Sequence, residues 1–336
     1  MKASRSSFRP AWLLKAMISQ ANIEIGLNAA IVSVRAGQPQ ILVTREGYMW
    51  DALPYGPFTP IDHRTLDIGL RAWVREQTGL ELGYVEQLYT FGDRGRHAQR
   101  GDTAPHIVSV GYLALITEDP AAPLESASFA RWYGYLPWED WRNGKPGILT
   151  SEIEPRLKRW AEQPDQDDAH VSALTRPERL RICFAIEGAD WDEEKVLERY
   201  ELLYEAGLAA EAMRDGHGAV KQWGDIPQLG RPMQFDHRRV LATAMSRLRG
   251  KLKYRPVIFE LLPDSFTLFE LQKIVEAILG HHLHKQNFRR LVENSGLVEP
   301  TGDVSTQTGG RPAKLFRFRR DVLLERPSTG VRMKGG

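Results

Sequence analysis

The sequence predicts an α+β protein that consists of an N-terminal α/β sandwich, a helical connector and a C-terminal helix-turn-helix with a β-hairpin. Apolar, β-branched runs surround one amphipathic helix in the first third of the chain. A long helical pattern follows at 192–215, and two short helices with a tight turn between them come near the C terminus. We therefore expect a first domain at 1–136, a connector at 137–234, a second domain at 235–320 and a tail at 321–336.

Strand signals dominate the first domain. The stretches with β-branched content and partial alternation are 23–34, 40–45, 83–92 and 106–116. Because of its Pro and Gly residues, LPYGPF at 53–58 predicts a loop. A single helix is expected between Thr65, whose hydroxyl can cap the first turn, and Gly79, which can end the last one.

The sequence of the second domain predicts three helices and a hairpin. The helical stretches are 236–252, 267–280 and 284–296, and the hairpin strands are 297–301 and 313–319. Asp236 and Thr267 are the expected N-caps, and Gly280 and Gly296 are the expected helix ends. A helix-turn-helix followed by a hairpin is typical of a winged helix.

Charge is unevenly distributed along the chain. The 336 residues carry 45 Lys and Arg residues against 43 Asp and Glu residues. Residues 231–336 hold 20 of the basic residues and only 10 of the acidic ones. The net charge of this region is therefore +10, and that of residues 1–230 is −8. A basic C-terminal region favours a polyanionic partner. A solvated basic face without any partner is equally consistent with the charge alone.

The single cysteine limits which disulfides and metal sites the chain can form. Cys183 cannot form an internal disulfide or a cysteine-based zinc site, and a lone thiol fits a reducing compartment. No apolar run approaches the ~20 residues that a membrane helix needs, and the N-terminal residues are too polar for a good signal peptide. We therefore expect a cytoplasmic protein that does not enter the membrane.

Two parts of the sequence resemble the Nudix-related transcriptional regulators of NAD metabolism, of the NrtR and NadQ type. The C-terminal similarity runs through FDHRRVLATAMSRLRGKL, TLFELQKIVEAILGHHLHKQNFRRLVENSGLVEPTG and GRPAKLFRF. In the first domain LPYGPF, TLDIGLRAWVREQTGL and YTFGDRGR are similar to the branch that controls de novo NAD synthesis. The resemblance covers about residues 23–134 as a Nudix-like domain and 235–320 as a winged helix.

The Nudix box, G-x5-E-x7-R-E-U-x-E-E-x-G-U with U an apolar residue, is degenerate in this chain. With the box aligned on Gly79, the matching residues are Val74, Glu76, Gly79 and Leu80. The other defined positions carry Phe58, Arg64, Ala72, Trp73 and Gln77. Because Mg²⁺ takes oxygen ligands and has to bridge phosphate oxygens, one remaining carboxylate predicts no metal site, no catalytic residues and no enzyme activity.

The resemblance implies a ligand-responsive repressor of NAD biosynthesis genes. Such a repressor would bind a palindromic double-stranded operator as a homodimer, because paired recognition helices must lie about one DNA turn, roughly 34 Å, apart. Its effector would be an adenine nucleotide, namely ATP, NAD or ADP-ribose, and no cofactor would be required. The sequence does not decide which nucleotide acts, or whether it promotes or relieves DNA binding.

Two alternative functions stay open at this point. The first is an active hydrolase of ADP-ribose-like nucleoside diphosphate derivatives that also binds DNA. The second is an RNA-binding adaptor, which would require aromatic side chains for stacking on single-stranded bases. The predicted recognition helix offers only Phe288 for that purpose.

Candidate nucleotide-binding residues lie on the loops and the helix of the first domain. They are Arg45, Tyr55, Phe58, Arg71, Arg94 and Arg96. Arg94 and Arg96 cluster with Arg100 between two predicted strands, where guanidinium groups suit phosphate binding, although a solvated loop is equally consistent. Tyr55, Tyr89 and Phe91 could stack on an adenine ring, but packing is the more common role of any one aromatic residue.

Candidate DNA-binding residues lie on the predicted recognition helix and on the wing. They are Lys285, Gln286, Asn287, Arg289 and Arg290 on the helix, and Arg311 and Lys314 on the wing. Arg and Asn side chains can read base edges, whereas Lys mostly anchors phosphates. Phe288 and Leu291 are expected to face the core, so the polar residues face outward. For the HHLH stretch at 281–284 we expect no cysteine or acidic partner nearby and therefore no metal.

Overall fold

The N-terminal part of the computed structural model is a mixed sheet of six strands. The strands are β1 (Ile23–Arg35), β2 (Gln38–Thr44), β3 (Tyr55–Pro57), β4 (Tyr84–Phe91), β5 (His106–Leu115) and β6 (Ala127–Arg131). Their order is β4-β5-β1-β2-β6, and β3 pairs with the first half of β1. The β1–β5 pair is parallel and the other pairs are antiparallel. The structure describes residues 23–45, 47–93, 106–117, 124–163, 173–306 and 312–322.

Helix α1 (Leu66–Thr78) covers one face of this sheet. It begins where the sequence predicts, because the Thr65 hydroxyl accepts a hydrogen bond from the Ile68 amide at 3.2 Å. It ends at Gly79, which has a left-handed φ of 74°. Leu70 and Val74 on its inner side are buried in one apolar cluster with residues of β1 and β2. The predicted α/β sandwich is therefore confirmed.

The connector consists of short helices. They are α2 (Glu154–Ala161), α3 (Arg176–Phe184), α4 (Val196–Glu205) and α5 (Ala210–Arg214). The helical pattern at 192–215 is divided between α4 and α5 at Gly207, whose φ is 72°. A Cβ atom at Gly207 would lie 2.6 Å from the backbone nitrogen of Val220. Glycine therefore permits both the turn and the close approach of the following chain.

Helix α6 (His237–Leu252) packs against the opposite face of the N-terminal sheet. Val240 and Leu241 are fully buried in one cluster with residues of β1, β2 and β5. The division of the chain at residue 235 stays a prediction, but this packing groups α6 with the sheet. Asp236 occupies the N-cap position as predicted, but its carboxylate makes no capping hydrogen bond to the backbone of the first turn and pairs with the Arg239 side chain at 3.2 Å.

The C-terminal unit is a winged helix. It contains β7 (Phe266–Thr267), α7 (Leu268–Leu279), α8 (Lys285–Ser295), β8 (Val298–Ser305) and β9 (Ala313–Phe318). Thr267 and Glu270 form a reciprocal capping box, and Gly280 and Gly296 end the two helices with φ values of 80° and 67°. Because β8 and β9 form an antiparallel hairpin, the predicted helix-turn-helix and wing are both confirmed.

Two strands of the N-terminal sheet were not predicted from the sequence. Strand β3 lies inside the segment LPYGPF, whose Gly56 and Pro57 indicate a loop. Its three residues become a strand because β1 supplies a pairing partner. Strand β6 pairs with β2 at the edge of the described sheet, and its five residues carry no clear alternation. Among the described helices, none is long and apolar enough to cross a membrane.

Candidate DNA interface and effector site

Helix α8 presents a polar face to solvent. Phe288 and Val292 are buried and fix the helix against the rest of the winged helix. The five polar residues predicted to contact DNA, Lys285, Gln286, Asn287, Arg289 and Arg290, are all exposed. Within the described part of the chain, Lys285, Gln286 and Arg289 make no hydrogen bond or ion pair, and Arg290 only approaches Asn287 at 3.5 Å. This face is therefore available to an external partner.

The turn before α8 is held by a buried carboxylate. Glu276 accepts hydrogen bonds from the Gln272 amide at 2.8 Å and from the Leu283 backbone amide at 3.1 Å. Lys273 and His282 each lie 3.0 Å from its other oxygen. Burial alone would raise the pKa of Glu276, but these donors lower it to about 2. The ionised side chain thus fixes the start of the recognition helix relative to α7.

Strand β9 of the wing carries basic residues. Lys314 on β9 is exposed, whereas Arg317 is paired with Glu299 at 2.7 Å across the hairpin. Arg311 lies outside the described residues. Lys314 is therefore the predicted wing contact that the structure places at the surface.

In helix α1, two side chains at degenerate box positions, Trp73 and Gln77, point to strand β3. The Gln77 amide donates to the Tyr55 carbonyl at 2.5 Å and accepts from the Tyr55 amide at 3.1 Å. The Trp73 indole donates to the Pro57 carbonyl at 2.8 Å, and a Cβ atom at Gly56 would overlap its ring. Positions that carry acids in the box therefore bind the backbone of a neighbouring strand.

Few side chains around α1 are available as ligands for a divalent metal. Glu76 is exposed, and Trp73 and Gln77 are occupied by β3. Within the described ranges, no group of three or more His, Cys, Asp or Glu side chains is arranged to hold a metal ion. A two-metal or water-activating centre needs several such ligands.

An aromatic cluster lies on the other side of β3. Tyr48, Tyr55 and Phe235 are half-buried, with ring centroids 5.0 to 6.0 Å apart. The hydroxyl groups of Tyr48 and Tyr55 are hydrogen-bonded to each other, and burial raises the pKa of Tyr55. Phe235 has a φ of 50°, which is an unfavourable backbone conformation for a bulky residue. Exposed Arg45, which is ion-paired with Asp51, lies on the same loop as Tyr48.

His237 connects this aromatic cluster to α6. Its ring lies 5.3 Å from those of Tyr55 and Phe235. Its Nδ1 accepts a hydrogen bond from the Leu53 amide at 2.9 Å, and its Nε2 donates to the Asn28 side-chain oxygen at 2.8 Å. These two contacts define the neutral tautomer of a buried imidazole. The start of α6 is therefore fixed to β1 and to the loop before β3.

Comparison with known proteins identifies the C-terminal unit. Residues 258–318 match the family model described as the NrtR DNA-binding winged helix domain. This segment is an NrtR-type winged helix. The C-terminal part of the resemblance inferred from the sequence is thereby confirmed, whereas the assignment to the branch that controls de novo NAD synthesis stays a prediction.

Relatives of the chain agree with this identification. The ADPR responsive transcriptional repressor NtrR of Acinetobacter baylyi is 45% identical over 103 residues, which are 30% of this chain and 41% of that protein. The chain therefore matches less than half the length of this relative. A crystal structure of Shewanella oneidensis NrtR complexed with a 27mer DNA has a TM-score of 0.53 and 19% identity, over 88% of this chain and 94% of that chain. A second structure of that protein has a TM-score of 0.51, so the fold is shared.

The predicted nucleotide-binding residues are distributed over two faces of the sandwich. Arg45 and Tyr55 lie at the aromatic cluster. Phe58 packs against the apolar cluster under α1, and Arg71 binds Asp67 at 2.9 Å and the carbonyls of the chain after the helix. Arg94 and Arg96 are outside the described residues. Nucleotide binding by all six residues stays a prediction, and the existing contacts of Arg71 do not favour it.

Sequence reasoning missed several residues that define this region. Tyr48 and Phe235 are 187 positions apart in numbering and carry no shared motif, yet their rings meet at 5.5 Å. The role of Gln77 as a link to β3 was missed because β3 itself was not predicted. Tyr89, a predicted stacking residue, is exposed and packs against buried Phe91 on β4.

Proposed function

We propose that this chain is a DNA-binding transcriptional repressor of NAD biosynthesis genes that responds to ADP-ribose. The observation that carries this proposal is the NrtR-type winged helix, whose recognition helix exposes Lys285, Gln286 and Arg289 without a partner among the residues that the structure describes. Polar groups that no protein group satisfies are suited to phosphates and base edges in a major groove. The net positive charge of residues 231–336 supports the same partner.

ADP-ribose is the proposed effector among the adenine nucleotides, because the relative from Acinetobacter baylyi is named as ADPR responsive. We place its site beside the aromatic cluster, where Tyr48, Tyr55 and Phe235 offer ring faces and edges and Arg45 offers an exposed guanidinium group. Stacking on an adenine ring and a charge-assisted bond to a phosphate require these groups. ATP and NAD are the competing effectors, and no cofactor is required.

The proposed assembly is a homodimer on a palindromic operator in the cytoplasm. Two winged helices read adjacent major grooves when they lie roughly 34 Å apart. Hydrolysis is not part of the proposed function, because Trp73 and Gln77 are engaged with the backbone of β3 and leave Glu76 as the single box carboxylate. The alternative function is an active hydrolase of ADP-ribose-like compounds. An assay of ADP-ribose hydrolysis with Mg²⁺ distinguishes it from the repressor.

Titrations on the full chain test this proposal. A fluorescent duplex from the promoter of an NAD synthesis gene is titrated alone and with ADP-ribose, ATP or NAD. We expect tight binding to the operator, a strong decrease with salt, and a change in affinity with ADP-ribose at lower concentration than with ATP or NAD. By thermodynamic reciprocity, operator must change ADP-ribose affinity by the same factor. Equal affinity for operator and scrambled DNA would refute the repressor, and rapid ADP-ribose turnover with Mg²⁺ would favour the hydrolase.

A further inference from the structure

The C-terminal end of α7 is capped by residues from outside the winged helix. An α-helix leaves its last carbonyl groups without partners inside the helix. Here the Ala277 carbonyl accepts a hydrogen bond from the Tyr133 hydroxyl at 2.7 Å. The Ile278 carbonyl accepts one from Arg249 Nε at 2.9 Å. The first helix of the DNA-binding unit is thus attached to α6 and to the segment after β6.

Gly280 permits this attachment. Its carbonyl accepts a hydrogen bond from the Trp141 backbone amide at 2.7 Å. Its φ is 80°, and an added Cβ atom would overlap the Glu139 carbonyl and lie 2.9 Å from both Arg249 Nη2 and Tyr133 Oη. One glycine therefore ends α7 and brings it into contact with the N-terminal part of the chain. We call this contact of α7 and Gly280 with residues 133–141 and 249 the joint.

A buried charge network fixes Arg249 within the joint. Glu139, Arg199 and Arg249 are at most 1% exposed. Glu139 Oε2 lies 2.6 Å from Arg249 Nη1, and its carboxylate is bidentate to Arg199 at 2.6 and 2.8 Å. Burial alone would raise the pKa of Glu139, but the two guanidinium groups keep it below its usual value. A fully satisfied buried network of this kind favours one arrangement.

Helix α6 joins this network to the candidate effector site. His237 at its first turn contacts Tyr55 and Phe235, and Arg249 lies 12 positions later, about 18 Å along the helix axis. Between them, side chains such as Met245 and Leu248 are fully buried. A helix packed in this way moves together with its neighbours and does not deform continuously.

We infer that Arg249, supported by Glu139 and Tyr133, is a positioning residue that fixes the winged helix on the N-terminal sheet, and that α6 carries the effector signal to it. The inference rests on the proposed function, because it names the element that couples the effector site to DNA binding. The winged helix then moves with α6 and the sheet as one body. The helical connector supports this route through Arg199 but is not the route itself.

The test uses the full chain with Tyr133→Phe and Arg249→Met. Tyr133→Phe removes one hydroxyl from the joint and keeps its packing. Arg249→Met leaves a neutral Glu139–Arg199 pair. The readout is the coupling factor, defined as the larger divided by the smaller of the two operator Kd values measured with and without saturating ADP-ribose. We expect Tyr133→Phe to reduce this factor at least threefold and Arg249→Met to bring it close to one. The affinity for ADP-ribose without DNA should stay within twofold of the wild type.

Tyr204→Phe is the matched control, because the Tyr204 hydroxyl donates to Asp215 at 2.9 Å inside the connector and away from the joint. It should lower the Tm without changing the coupling factor. A folded Tyr133→Phe variant with the full coupling factor would overturn the inference, even if Arg249→Met failed to fold.

Amide hydrogen exchange separates the joint from the proposed function. The Trp141 amide, which binds the Gly280 carbonyl, should exchange at least tenfold faster in Tyr133→Phe than in the wild type and at the wild-type rate in Tyr204→Phe. A wild type without any ADP-ribose response would refute the proposed function and the signalling role of α6, whereas unchanged Trp141 exchange in Tyr133→Phe would refute the positioning role itself.

Discussion

Helices α1 and α8 end alike but use their polar residues in opposite ways. Both stop at a glycine with a left-handed φ, Gly79 at 74° and Gly296 at 67°. In α1 the side chains of Trp73 and Gln77 form hydrogen bonds within the protein, to the backbone of β3. In α8 the polar residues remain exposed to solvent. A polar side chain that is satisfied internally stabilises the fold, whereas one left unsatisfied at the surface is available to a partner.

Loss of the α8 arginines should have the largest effect. The double variant Arg289→Ala with Arg290→Ala should weaken operator binding by several kcal/mol, since each base or phosphate contact contributes about 1–3 kcal/mol. ADP-ribose affinity and Tm should stay nearly unchanged, because both side chains are exposed. Fluorescence anisotropy on operator and scrambled duplexes measures the effect. Arg181→Ala, which removes an exposed arginine of α3, is the control and should leave operator affinity intact. Unchanged affinity in the double variant would assign DNA binding to the wing.

Glu276→Gln should have the next largest effect, on stability. The pKa of Glu276 is about 2 in the folded chain against an ordinary value of 4.5. A lowered carboxyl pKa contributes stability that is complete above pH ~4.5 and is lost as pH falls toward 2. We expect the variant to be less stable by about 2 kcal/mol at pH 7, with the difference shrinking below pH 4.5. Urea unfolding across this pH range measures it, and Glu293→Gln on the exposed face of α8 should show no such pH dependence.

Gln77→Glu tests whether α1 can regain its box chemistry. A carboxylate at this position can no longer donate to the Tyr55 carbonyl, so we expect a loss of about 1–2 kcal/mol in stability. Urea unfolding measures the loss, and Gln228→Glu at an exposed connector position is the control. An increase in ADP-ribose hydrolysis with Mg²⁺ would contradict the view that α1 serves the fold.

Arg45→Ala should have the smallest effect. Its guanidinium group is mostly exposed, and a single exposed contact to a phosphate is worth about a two- to fivefold change in affinity. Isothermal titration with ADP-ribose measures this change, and Arg131→Ala, at an exposed position of β6, is the control. If both variants bind ADP-ribose like the wild type, the effector site lies away from the loop before β3.

The ends of the helices were the most predictable features of this chain. Thr65, Thr267, Gly79 and Gly280 act locally, through hydrogen bonds within a few residues or through their own φ, so their effect is visible in the sequence. Asp236 shows the limit of the same reasoning. It has a good capping side chain, but Arg239 one turn later competes for its carboxylate.

The candidate sites were predictable to different degrees for the same reason. The candidate DNA-binding face follows from the helical period of α8, in which buried Phe288 and Val292 direct the polar residues outward. The proposed effector site does not follow from any period. It combines Tyr48, Tyr55 and Phe235 from distant parts of the chain.

The sequence by itself determined the helix ends, the strands other than β3, β6 and β7, the winged helix and the loss of the box acids, because each of these depends on the kind and spacing of nearby residues. Only the tertiary structure decided that α6 packs on the N-terminal sheet, that Gln77 holds β3 and that Arg249 caps α7. Such contacts join residues that are far apart in the chain. Their formation depends on the packing of whole elements, which local pattern and propensity do not encode.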